Sequence, residues 1–227
     1  MDTWTDPASP AWAGGLLAEV DSAFAVVGAD TPGWPDPHGG EAPADEEYSR
    51  CLDPGKYRIL DRRIEAWAQV LRDRGIAEAR DLPLGGPQWQ GASSPPDEFH
   101  RFQRIVPTEP DGLVLHFAHT IVDGAPFGLV VGLGSPDDAA APPVLVGRLP
   151  MCGCDACDDG SEALLKELDG CFVTTAQGGV VHVSEGERSI TRTADGWRAS
   201  GDADEGWLDA AAPHPPGRVG WWGKPWL

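Results

Sequence analysis

Apolar and polar positions recur along this chain with two periods, one helical and one extended. Over residues 10–27, Leu16, Val20, Phe24 and Val27 fall at the spacing of one helix face. Ser9-Pro10 supplies an N-cap and a first-turn proline, while Gly14 and Gly15 weaken the helix. The pattern breaks over residues 30–47, which are crowded with proline, glycine and carboxylates and read as an irregular, solvated acidic arm. A second helix is expected from Asp53-Pro54, an N-cap followed by proline at the first helical position. Leu60, Ile64, Trp67 and Leu71 make its buried stripe, and Asp61, Arg62, Arg63 and Glu65 are expected to face water. Arg72 and Arg74 suit its C-terminal dipole, and Gly75 can end it.

A polar, proline-rich connection covers residues 83–97, after which the period shortens. Residues 99–106, 113–122, 127–133 and 144–149 are short β-type runs separated by turn-forming segments, the mark of an antiparallel meander. The second run is apolar on both faces and suits a central strand. A third helix is expected from Asp159, with Glu162 three residues on as in a capping box. Leu164, Leu165, Leu168 and Phe172 form its buried face, and Gly178-Gly179 stops it. Residues 180–184 and 188–194 are further strands, and Asp195-Gly196 is a hairpin turn into residues 197–200. From Gly201 onward the chain reads as loop. Among its ten tryptophans, Trp221, Trp222 and Trp226 are placed to anchor the C-terminal end. Helices, a run of strands, a helix and more strands indicate α+β: a mostly antiparallel sheet, meander plus C-terminal hairpin, with helices packed on it.

Length and charge narrow this picture. The 227 residues suit one domain with an arm: residues 1–45 as an N-terminal helix and acidic Pro/Gly-rich arm, and 46–227 as a single α+β domain. With 17 basic and 36 acidic residues, the net charge is −19. That excludes a nucleic-acid binder, which needs a basic footprint, and argues against docking on an anionic membrane. A basic protein surface is the partner class such acidity suits. The start, Met1-Asp2-Thr3-Trp4, lacks the basic opening of a signal peptide, and Glu19 and Asp21 interrupt the first apolar stretch. A soluble, cytoplasmic protein is expected. Its oligomeric state is left open.

The chemistry concentrates at residues 150–159. Five cysteines are an odd set, and Cys152, Cys154 and Cys157 are clustered, which points away from a secreted disulfide framework and towards metal or redox chemistry. Gly153 allows a tight bend, and Cys154-x-x-Cys157 has the spacing of a zinc knuckle. The helix start that follows lowers thiol pKa values. Zinc requires a fourth donor, for which His116, His119, His182 and Asp155 are the candidates, with Asp158 and Cys51 also within consideration. Cys171 lies too far along its helix to join. The same loop admits a redox dithiol of Cys154 and Cys157, or an unliganded structural turn.

The heptapeptide Cys152-Gly153-Cys154-Asp155-Ala156-Cys157-Asp158, the leucine-rich acidic helix after it, Gly178-Gly179 and a strand form a recognisable set. With Tyr48-Ser49-Arg50, Asp53-Pro54 and the Trp/Pro-rich end, they resemble an uncharacterised actinobacterial family known only as a domain of unknown function. The resemblance covers roughly residues 46–185 plus the end. It implies a shared fold and a shared cysteine loop, and no activity.

One further pattern is present. His119-Thr-Ile-Val-Asp123-Gly124 matches the His-x-x-x-Asp-Gly signature of chloramphenicol-acetyltransferase-like and condensation-type acyltransferases, where the histidine is a general base and the aspartate shapes its loop. An ordinary Asp-Gly turn after a strand histidine explains the same residues. Three functions therefore stand as alternatives: a binding or structural module with a zinc site in its cysteine loop, a thiol-disulfide redox protein, and an acyltransferase using His119.

Overall fold

The extended runs assemble into two antiparallel sheets. The computed structural model describes residues 11–83, 98–122, 124–135, 142–178, 180–193, 196–202, 206–207 and 218–227. The larger sheet is a meander in chain order: β1 (Ala77–Leu82), β2 (Glu98–Pro107), β3 (Val114–Val122), β4 (Ala125–Gly134) and β5 (Val144–Leu149). The smaller has the order β8-β7-β6-β9, from β6 (Val181–Glu185), β7 (Arg188–Thr193), β8 (Gly196–Ser200) and β9 (Arg218–Trp222). Two of these strands were not expected. Ala-Glu-Ala-Arg-Asp-Leu has little β propensity, and β1 owes its state to pairing along residues 102–107 of β2. Likewise β9 falls in the stretch expected to be loop, and is extended because it pairs with β6. The connection over residues 84–97 and the hairpin position Asp195 lie outside the described residues.

The helical period gives α1 (Ala11–Val27), α2 (Ile59–Asp73) and α3 (Gly160–Gln177). The start of α2 comes later than Asp53-Pro54 suggests, because Pro54–Arg58 is a 3-10 turn and the Asp53 side chain caps nothing. One core joins the helices to a face of the meander: Leu16 and Val20 of α1, Leu60, Ile64 and Leu71 of α2, Leu115 and Phe117 of β3, and Leu168 of α3. Trp67 and Phe172 stack at its centre, ring centroids 4.5 Å apart and 3° from parallel. Strand β3 is buried on both sides, since Ala118 packs with Phe102 and Val130 on the opposite face.

Arg63 corrects the reading of α2. It is 4% exposed instead of facing water. Its guanidinium reaches both carboxylate oxygens of Asp169 on α3, at 2.8 and 2.6 Å, and Asp21 of α1 at 2.8 Å. The Trp67 indole also donates to Asp169, at 2.7 Å, so a buried ion pair with a third partner locks the three helices together. The C-terminal end is fastened by Trp226, whose amide donates to the Ala176 carbonyl at 2.9 Å and whose indole donates to that of Leu113 at 3.1 Å. Gly178 closes α3 with φ +70°, and a side chain there would collide with the backbone at Pro225.

Candidate metal centre

The cysteine loop leaves β5 through a cis Leu149-Pro150 bond, makes one 3-10 turn over Asp155–Cys157 and enters α3. The sulfurs of Cys152, Cys154 and Cys157 all lie within 4.8 Å of one another, close enough to hold one metal ion. Those of Cys152 and Cys154 are 3.1 Å apart. Cys152 and Cys157 are exposed and Cys154 is half-buried, so the set opens outward. Gly153 has a specific cause: a Cβ there would overlap the ring of Phe127 from β4. The loop is thus seated on an aromatic side chain of the meander.

Two carboxylates hold the loop in shape. Asp155 accepts from the Arg50 guanidinium at 3.1 Å and from the Leu52 amide at 3.1 Å, while its own amide donates to the Arg50 carbonyl at 2.8 Å. Asp158 is 6% exposed and accepts from the Trp34 indole, the Gly160 amide and the Lys56 ammonium. Burial works against its charge, but the Lys56 and Trp34 hydrogen bonds outweigh that and hold its pKa below the usual carboxylate value. Trp34 is further clasped by Ser161, whose hydroxyl accepts from the Trp34 amide at 2.9 Å. The residues around Trp34 therefore lie across the start of α3.

None of the four candidate fourth donors joins the sulfurs. Asp155 has both oxygens engaged, as has Asp158. His116 is buried against Gly134 in the meander. His119 bonds Asp61 at 2.6 Å, and His182 bonds Thr191 at 2.9 Å in the smaller sheet. Cys51 packs, partly buried, on the main core, and Cys171 does so inside α3. Among the described residues, no further His, Cys, Asp or Glu completes the group. The histidine beside the loop is His38, whose Nε2 lies 3.1 Å from the Asp155 carbonyl oxygen. Its place in the arm gave no sequence signal. Hydrogen bonds from the Cys154 amide and thiol lower the pKa of Cys152, whereas the thiols of Cys154 and Cys152 push that of Cys157 up to about 12.

A second group of donors was not anticipated as a set. Asp61 of α2, His100 of β2 and His119 of β3 each offer an atom within 4.8 Å of the others. Asp61 was expected only to face water; it bonds His119 Nδ1 instead. His119 is completely buried, so its ring has no solvent-facing edge to offer an acceptor, and its supposed partner Asp123 lies outside the described residues. Partial desolvation lowers the pKa of His100 although the residue is exposed overall.

Among the described residues, no helix is long and apolar enough to cross a membrane. No curated protein and no solved structure matches the chain. A protein family does, described as a family of unknown function (DUF6226), over residues 20–226. That span includes both candidate groups, the Trp34 clasp and the anchored C-terminal strand, and the chain belongs to this family of unknown function.

Proposed function

We propose that the chain is a binding or structural module whose Cys152, Cys154 and Cys157 hold a zinc ion. The observation that carries this reading is the convergence of three sulfurs within 4.8 Å on a loop braced from both sides. Tetrahedral zinc at about 2.3 Å from each thiolate needs sulfurs about 3.8 Å apart, a modest adjustment of this loop. With three protein donors the fourth position faces solvent, where water binds and a donor from a protein partner displaces it. Five free thiols suit a reducing cytoplasm, and the net charge of −19 favours a basic surface on that partner.

Elemental mass spectrometry of the purified protein tests this. The expected result is zinc in an amount that falls by one equivalent on Cys154→Ser. Finding no such loss, together with a dithiol that titrates near neutral pH, overturns it and favours the second reading. In that reading two loop thiols exchange with a partner disulfide, becoming oxidised as the partner leaves as two thiols. The sequence pointed to Cys154 and Cys157; the 3.1 Å approach of Cys152 to Cys154 favours that pair.

A further inference from the structure

We propose that Asp61, His100 and His119 form a second metal site, a two-histidine, one-carboxylate set for a divalent transition metal. Three observations converge on it. The donors come from three different elements, the first turn of α2 and two neighbouring strands, yet lie within 4.8 Å of one another. Bonds of about 2.0–2.2 Å to nitrogen and oxygen require donors roughly 3.3 Å apart, within reach of side-chain rotation at the outer two residues.

The second observation is the backbone that delivers His100. Phe99 pairs with Thr120 and Arg101 with His119, so His100 is an extra residue with no opposite number in the ladder. Such a bulge re-aims a side chain. Here it brings the His100 ring to 5.9 Å from that of His119, edge to face. A regular register over these residues would not set two side chains of β2 against one histidine.

The third observation is how two of the donor atoms face one another. His119 is 0% exposed and turns its Nδ1 to the Asp61 carboxylate at 2.6 Å, so a metal ion would take the place of the proton these two atoms share. Outward, His100 is exposed and the Asp61 side chain 23% exposed, which leaves an entry path and open coordination positions. The donor set suits zinc, iron(II) or cobalt(II) over calcium or magnesium.

The test is cobalt(II) titration of the Cys152→Ser, Cys154→Ser, Cys157→Ser protein, which has no thiolate centre. One equivalent is expected, seen as visible d–d absorption without a sulfur-to-cobalt charge-transfer band. Adding His100→Ala, a change at an exposed position, is expected to weaken binding at least tenfold. No binding by the cysteine-free protein, with its circular dichroism unchanged, overturns the proposal; so does binding that His100→Ala leaves intact. The charge-transfer band of the unmodified chain reports on the loop separately, so the two sites stand or fall independently.

Discussion

Single residues decide how the cysteine loop is held. The spacing of Cys152, Cys154 and Cys157 was legible in the sequence because thiol chemistry is local, and Gly153 could be read there as permitting a tight bend. The reason for the glycine was not legible, because it depends on Phe127 arriving from another strand. Gly153→Ala places a methyl group into that ring and is expected to cost about 1–3 kcal/mol of stability. Chemical unfolding measures the loss. Phe127→Leu in the same protein is expected to recover part of it, and no recovery would mean that the ring is not what excludes a side chain. The carboxylates show the converse limit. Asp155 and Asp158 look like metal ligands by proximity in sequence, yet distant partners, Arg50, Leu52, Trp34 and Lys56, have claimed them.

At the level of elements, the periodic segments were readable and the paired ones were not. The three helices and the four runs that became β2 to β5 carry their burial in their own spacing. Strands β1 and β9 are extended because a neighbour offers a free edge, a fact absent from their composition. The same limit applies to the Asp61, His100 and His119 group. A bulge is a matter of register between two strands, and no feature near His100 announces it. Arg63 was misread because its partners lie on α1 and α3. Asp169→Ala leaves that buried guanidinium, among the described residues, with Asp21 as its one carboxylate and is expected to destabilise the chain by about 3 kcal/mol. Replacing the pair together, as Arg63→Met with Asp169→Leu, is expected to cost less. Urea unfolding of the two variants compares them, and an equal or greater cost for the double change would show that the ion pair itself, not the unpaired charge, sets the penalty.

For the whole molecule, two buried histidines tie stability to pH. Burial lowers His116 and His182 to about 4, so both stay neutral in the fold. A group lowered on folding contributes stability that is full above its unfolded value of 6.5 and is lost as pH falls towards 4. Each is worth about 3 kcal/mol over the complete window, because a tenfold change in proton affinity corresponds to about 1.4 kcal/mol. Unfolding free energy is therefore expected to fall between pH 6.5 and 5, while most carboxylates remain ionised; a flat or rising profile there would contradict the buried, neutral assignment. The central claim is that the three-cysteine loop binds zinc with one position left open. Zinc-edge X-ray absorption of the His100→Ala protein loaded with no more than one equivalent of zinc tests it most directly, because that change takes one of the three donors from the second set and weakens its competition for the metal. About three sulfur neighbours at about 2.3 Å and one lighter neighbour are expected. Zinc surrounded only by nitrogen and oxygen, or protein that takes up no zinc, would contradict it.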